Sequence, residues 1–258
     1  VSAVERWAAE LACWAIPPEI LAQAAESPWS VPHGVFVRRV DRQLGAPSTP
    51  THRAVLDGCG SVLDIGAGAG AASLPCARAI SHVTGVDTDA KLLAEFADRA
   101  AALSLPYRTV EGRWPDVHAE VGTVDVAVCA NVLYNVPDLE PFVAALGQHA
   151  RRVVLELTET HPLTGMNDLW KRFHGLDRPA GPTAEDAVVA LRELGVEPEV
   201  VRWQKRSGPM PFDELVAVTR RRLCLSADRT DELAAALHGS KVETRRMVTV
   251  FWSPVRMP

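Results

Sequence analysis

From residue 61 onward, short stretches rich in apolar and β-branched residues alternate with longer ones in which apolar positions recur every third or fourth residue. The short stretches 62–65, 82–86, 107–110, 124–129 and 153–157 predict strands, and 200–203 and 247–252 predict two more. Between them, 71–80 is rich in Ala and Leu and predicts a helix. In 89–103, Leu92, Leu93, Phe96, Ala97, Ala100 and Leu103 form one helical stripe. Another helix is expected over 138–149, with Asp138 placed to cap it and Leu139, Phe142, Val143 and Leu146 facing inward. Thr183 and Asp186 have the spacing of a capping box, and Gly195 stands where the helix they begin would stop. Strand and helix alternation of this kind predicts an α/β fold: a doubly wound, mostly parallel sheet of seven strands with helices on both faces.

The first 58 residues lack strand signals. Val4, Trp7, Ala8, Leu11, Trp14 and Ala15 fall at helical spacing, Pro17-Pro18 ends that helix, and shorter helices follow, broken at Ser27-Pro28 and Ala46-Pro47. Residues 1–58 are expected as an N-terminal helical cap, and 59–258 as the main domain. Two helical insertions are expected in that domain, at about 159–182 and 210–240. A chain of 258 residues with 47% hydrophobic and 23% charged residues suits an ordinary globular protein. Its net charge of −5 gives no support to a nucleic-acid surface, and Arg151-Arg152 and Arg220-Arg221-Arg222 read as solvated charges. No apolar run suits a membrane span, and Glu5, Arg6 and Glu10 interrupt any leader peptide. The five cysteines show no paired spacing, so reduced thiols, a cytoplasmic location and no metal site are expected.

Chemistry concentrates where the first strand meets a glycine-rich turn, Ser61-Val62-Leu63-Asp64-Ile65-Gly66-Ala67-Gly68-Ala69-Gly70. Gly66, Gly68 and Ala71 fit a dinucleotide fingerprint, with Asp87 lying 21 residues beyond Gly66 as a ribose-binding acid. Asp64 favours a different ligand. A carboxylate at the end of the first strand disfavours a pyrophosphate in a partly dehydrated pocket and suits a ligand bearing an ammonium group. Asp87 serves a nucleoside in either case, since one carboxylate can accept from both vicinal ribose hydroxyls.

Asp64 with Gly66-x-Gly68-x-Gly70 resembles motif I of the class I S-adenosylmethionine-dependent methyltransferases, small-molecule type. The segment 124–138 resembles their fourth-strand region, with Tyr134-Asn135 where that group often has two histidines. The resemblance implies a Rossmann-like methyltransferase fold with S-adenosyl-L-methionine as cofactor. It implies a cofactor site of Asp64, Gly66, Ala67, Gly68, Gly70, Asp87 and Thr88, with Ala130 and Asn131 beside the methionine moiety. Family members often place an acidic residue after the third strand for the adenine amino group. Arg113 stands there in this chain, so the Arg113 backbone N–H and the face of Trp114 are the expected substitutes.

The activity implied is methyl transfer to an O, N or S atom of a small-molecule acceptor, with no membrane and no nucleic acid as partner and a homodimer as an allowed assembly. Around the fourth strand, Ala130-Asn131-Val132-Leu133 lacks the (Asp/Asn)-Pro-Pro-(Tyr/Phe) segment of nucleobase amino methylation, and Cys129 lacks the Pro-Cys signature of C5 methylation. Acceptor contacts are expected from the N-terminal helices, with Trp7, Trp14, Trp29 and Phe36 as apolar wall, and from 159–182. His161, just past the fifth strand, is the first candidate base, followed by His174 and Tyr134. Two other readings stay open: a nicotinamide- or flavin-dependent oxidoreductase using the same turn, and a non-catalytic S-adenosylmethionine-binding regulator.

Overall fold

The computed structural model describes residues 1–29, 34, 38, 40, 41, 43, 44, 48–58, 60–206, 208, 210–239 and 244–254. Phe36, Cys59 and the break at Ala46-Pro47 lie outside the described residues. All seven expected strands form one sheet: β1 (Gly60–Ile65), β2 (Ile80–Asp87), β3 (Tyr107–Glu111), β4 (Val124–Ala130), β5 (Ala150–Thr158), β6 (Glu199–Arg206) and β7 (Thr244–Trp252), in the order β3-β2-β1-β4-β5-β7-β6. β1 pairs in parallel with both β2 and β4, so the chain reverses its direction of winding there. A crevice opens at such a point outside the carboxyl ends of the strands. β7 runs antiparallel to both neighbours, which makes β6 run in the same sense as the parallel strands rather than as a second reversed strand.

The helices are α1 (Ala3–Ala12), α2 (Pro18–Leu21), α3 (Pro50–Gly58), α4 (Ala90–Ala102), α5 (Leu139–His149), α6 (Asn167–His174), α7 (Ala184–Glu193), α8 (Phe212–Arg222) and α9 (Thr230–Leu237). One face of the sheet is covered by α1, α5 and α7 through Trp7, Phe142 and Leu191, the other by α3 and α4 through Val55 and Phe96. Residues 1–58 were expected as a cap, yet α1 and α3 lie on opposite faces and build the sheet's own two cores. A third cluster joins Ile16 and Ile20 to Trp170, Phe173, Val216 and Leu233, so the two insertions pack on each other and on α2.

Local rules account for most boundaries. Asp89 caps α4 by accepting from the Lys91 and Leu92 N–H groups, and Thr183 and Asp186 form the capping box of α7. Asp138 stands at the start of α5 but makes no side-chain cap bond.

The helix expected over 71–80 does not form: the segment holds turns and one short 3-10 stretch, Leu74–Cys76. Pro75 explains it. An α-helix would need the residue-75 N–H to reach the Ala71 carbonyl, and proline has none. The His52 ring donates Nε2–H to that carbonyl instead, at 3.1 Å. The turn is therefore followed by no helix dipole. Its shape is held by packing: a Cβ on Gly70 would meet Leu74 Cδ1 at 2.3 Å and Phe96 Cδ2 at 3.1 Å.

Candidate functional site

The end of β1 carries Asp64, 1% exposed. Ser73, on the irregular segment, donates Oγ–H to Asp64 Oδ2 at 2.5 Å, while Oδ1 is buried with no hydrogen-bond partner among the described residues. Burial pushes the carboxyl up to about 7, against the opposing pull of Ser73, with the Asp87 charge adding to the rise. A buried carboxylate oxygen with no donor is costly, and a cationic group arriving at Oδ1 would relieve that cost.

The sign of the pH effect follows. Below about pH 4 Asp64 is protonated in folded and unfolded chains alike; between about 4 and 7 only the folded chain keeps the proton. Asp64 thus contributes stability at low pH that is lost as pH rises through about 7. Thermal unfolding of the ligand-free protein and of Asp64→Asn, compared between about pH 5 and 8, should show the variant gaining on the wild type as pH rises. A constant difference between the two would remove the assignment.

Beyond Asp64 the chain turns through Gly66 and Gly68, both in the left-handed region, at φ +64° and +51°. Gly66 and Ala67 donate their N–H groups to the Val86 carbonyl. A Cβ on Gly66 would lie 2.2 Å from Val132 Cγ2, whereas nothing lies within 4 Å of one on Gly68. One side of the turn is clamped by the chain leaving β4, and the Gly68 side is open. Asp87, at the end of β2, accepts the Gly68 N–H on Oδ2 at 2.8 Å and the Asp89 N–H on Oδ1 at 2.9 Å. A carboxylate oxygen accepts two hydrogen bonds, so each keeps capacity for a ligand hydroxyl. Thr88 follows, exposed.

At the end of β4, Ala130 and Asn131 are half-buried, and Asn131 holds φ +61°. The Asn131 N–H donates to the Glu156 carbonyl at 2.8 Å. After β3, Arg113 is exposed while Trp114 lies in the core, 5% exposed, with its N–H on the Phe142 carbonyl at 3.3 Å and its ring edge-on to His149. Trp114 therefore offers no open ring face for adenine, contrary to expectation: its apolar area is spent against α5.

The three candidate bases are engaged elsewhere. His161 is buried, stacked on Trp14 with ring centres 3.8 Å apart and edge-on to Tyr134 at 5.2 Å. Its Nδ1 accepts the Leu163 N–H at 3.3 Å, which places the ring proton on Nε2. Burial, then the Arg178 charge, push its pKa down to about 4. His161 is thus a neutral donor in a packed stack rather than the expected base. Tyr134 donates its hydroxyl to the Thr158 carbonyl at 2.7 Å, and burial pushes its pKa up. His174 bonds the Leu223 carbonyl through Nε2 at 2.6 Å, fastening one insertion to the other.

The aromatic residues expected as apolar wall divide likewise. Trp7 is core, stacked on Tyr134, and Trp29 is exposed. Trp14 is clasped: its N–H reaches the Gly181 carbonyl at 2.6 Å, and Arg178 sits over its ring and bonds the Trp14 and Ala15 carbonyls. Cys129 is buried, and burial raises its thiol pKa, as suits an inert thiol.

Two residues escaped the sequence reading. Ser73 became visible only once 71–80 proved irregular. Glu156 carried a signal: a charged residue inside the apolar strand run Val153-Val154-Leu155-Glu156-Leu157. It is 5% exposed, level with Ala130 of β4.

Comparison with known proteins comes to the same region. Residues 62–154 match a family model described as a methyltransferase domain. No curated protein sequence matches the chain. Among solved structures, magnesium protoporphyrin IX methyltransferase (ChlM) from Synechocystis PCC 6803, with bound SAH, is similar at 17% identity over 86% of this chain and 95% of that one, TM-score 0.50. The YcgJ protein from Bacillus subtilis is similar at 14% identity over 87% and 98%, TM-score 0.51. A protein whose structure describes conversion of a disulfide bond into a thioacetal group during echinomycin biosynthesis is similar at 16% identity over 82% and 83%, TM-score 0.53. At these identities the likeness is one of fold. Among the described residues no helix is long and apolar enough to cross a membrane.

Proposed function

We propose, for a chain that belongs with the class I S-adenosylmethionine-dependent methyltransferases, that the methyl acceptor is a small molecule and that the transfer is to an O, N or S atom. The observation that carries the cofactor assignment is the unpartnered, buried Oδ1 of Asp64 beside a turn whose Gly68 side is open. When bound, S-adenosylmethionine supplies a methyl group made electrophilic by its sulfonium. Asp64 would face the ammonium, Asp87 the ribose hydroxyls, the backbone of Gly66, Ala67, Gly68 and Gly70 the nucleoside edge, and Ala130 and Asn131 the methionine end. Thr88 and the Arg113 backbone remain as adenine-side contacts. The bound SAH described for the Synechocystis enzyme supports this reading.

Tyr134 has its hydroxyl committed to the Thr158 carbonyl, and His161 has its Nδ1 on the Leu163 N–H and its pKa held down to about 4 by burial, which favours an acceptor that needs no protein base: an amine with a free lone pair, or a thiol, phenol or carboxylic acid that ionises readily. The protein's contribution is then alignment and exclusion of water. The same observation favours one second reading, a binding protein without transfer. The oxidoreductase reading loses ground to Asp64 and to the methyltransferase-domain match.

Calorimetry with S-adenosylhomocysteine and with NADH, followed by transfer of labelled methyl from S-adenosylmethionine to pooled small amines, thiols and phenols, tests all three. Binding of S-adenosylhomocysteine alone plus labelled product is expected. NADH preference would sink the assignment, and binding with persistent silence would favour the second reading.

A further inference from the structure

Behind Asn131 lies a chain of donors that all point one way. Trp203 Nε1–H can only donate, and it reaches Thr249 Oγ1 at 3.0 Å. Thr249 Oγ1 lies 2.9 Å from Thr51 Oγ1, and Thr51 in turn donates to Glu156 Oε2 at 2.7 Å. Because Thr51 spends its proton on Glu156, the bond between the two threonines must run from Thr249 to Thr51. Both threonines are fully buried. The Lys205 ammonium stands 3.5 Å from Oε1 of the same carboxylate. Thr51 of α3 and Lys205 of β6 thus meet Glu156 directly, with Thr249 of β7 and Trp203 lined up behind Thr51, and they hold its carboxyl group in one orientation.

That orientation decides the next contact. Asn131 Nδ2 lies 3.3 Å from Glu156 Oε1. An amide carbonyl turned to a carboxylate would set two acceptors face to face, so Asn131 must present its NH2 to Glu156 and its Oδ1 away from it. With the main chain fixed at φ +61° and the Asn131 N–H tied to the Glu156 carbonyl, both ends of the residue are fastened to one partner.

We propose that Glu156 is a positioning residue: it sets the amide of Asn131 so that an acceptor oxygen faces a ligand N–H or ammonium group at the carboxyl end of β4. This rests on the reading that places Asn131 at the cofactor's methionine end. Glu156 itself touches no ligand; it acts through Asn131.

A double-mutant cycle read by S-adenosylhomocysteine calorimetry tests it. Glu156→Gln, whose own amide can turn either way, frees Asn131 to flip and should weaken binding about tenfold. Asn131→Gly, which tolerates the left-handed backbone, should weaken binding by a similar factor. In the Asn131→Gly background, Glu156→Gln should change affinity less than about twofold, because the group it orients is gone. Equal losses in both backgrounds would show a merely structural role and overturn the proposal, as would unchanged affinity in Asn131→Gly. Should Glu156→Gln not fold, Thr51→Val removes the donor to Oε2 together with the acceptor of the Thr249 hydroxyl, loosens the carboxyl group and carries the same cycle. Failure of the wild type to bind S-adenosylhomocysteine would strike the cofactor reading instead, so the two failures are distinct.

Discussion

Asp64→Asn should weaken S-adenosylhomocysteine binding by roughly 100-fold to several thousand-fold while leaving the protein folded and, above about pH 7, more stable. The substitution keeps the shape of the side chain and a hydrogen-bonding partner for Ser73, yet removes the charge at a fully buried position. Losing one member of a buried ion pair costs about 3–5 kcal/mol, because the other charge is left without a counterion. Here the member left behind belongs to the ligand, so the cost falls on affinity rather than on folding. The raised pKa adds a second signature. Near pH 7 a fraction of Asp64 is protonated in the free protein, and an ammonium group favours the ionised form. Binding should therefore release protons near pH 7, and affinity should rise as pH is raised through that value. Calorimetry in buffers of different ionisation enthalpy measures the release directly. Unchanged affinity in Asp64→Asn, with no proton release in the wild type, would remove Asp64 from the ligand.

The sheet was legible in the sequence because β1, β2, β4 and β5 are buried over most of their length and read as short apolar-rich stretches, while β3, at the sheet edge and largely exposed, was read from its β-branched and aromatic residues in the strand–helix alternation. The failure at 71–80 has a local cause. Composition favours a helix there, but one missing N–H, at Pro75, removes the bond to Ala71, and a histidine from α3 takes that carbonyl. Nothing within 71–80 records His52, which lies 19 residues upstream of Ala71.

The candidate site divides along the same line. The places of Asp64, the glycines and Asp87 at the ends of adjacent strands could be read because they follow from the strand–turn pattern itself. His161, His174, Tyr134 and Trp114 could not, since a polar or aromatic side chain in a loop has the same appearance whether it faces a ligand or packs against Trp14, Leu223, the Thr158 carbonyl or α5. Glu156 lies between these cases. A carboxylate within an apolar strand demands partners, but Thr51 and Lys205 come from elements 105 residues before it and on the far side of β7.

The two glycines of the turn separate packing from ligand access, and their alanine variants should fail differently. Gly66→Ala places a left-handed alanine, costing about 1–2 kcal/mol, and drives its Cβ into Val132, 2.2 Å away. Overpacking of that kind adds about 1–3 kcal/mol. Val132 is β-branched and follows Asn131, whose backbone is itself fixed, so it has little room to turn aside. Urea unfolding should show Gly66→Ala destabilised by roughly 2–5 kcal/mol, and Val132→Ala introduced with it should recover the overpacking part while leaving the backbone part. Gly68→Ala has the same backbone penalty but meets nothing within 4 Å, so about 1–2 kcal/mol is its whole expected loss of stability. Its methyl group instead enters the space on the open side of the turn, over the N–H that Asp87 accepts. S-adenosylhomocysteine binding should then fall by more than about tenfold in a protein that still unfolds cooperatively, since a displaced ligand loses its bonds to both the turn and Asp87. Wild-type affinity in Gly68→Ala would mean that the open side of the turn is not the ligand's side.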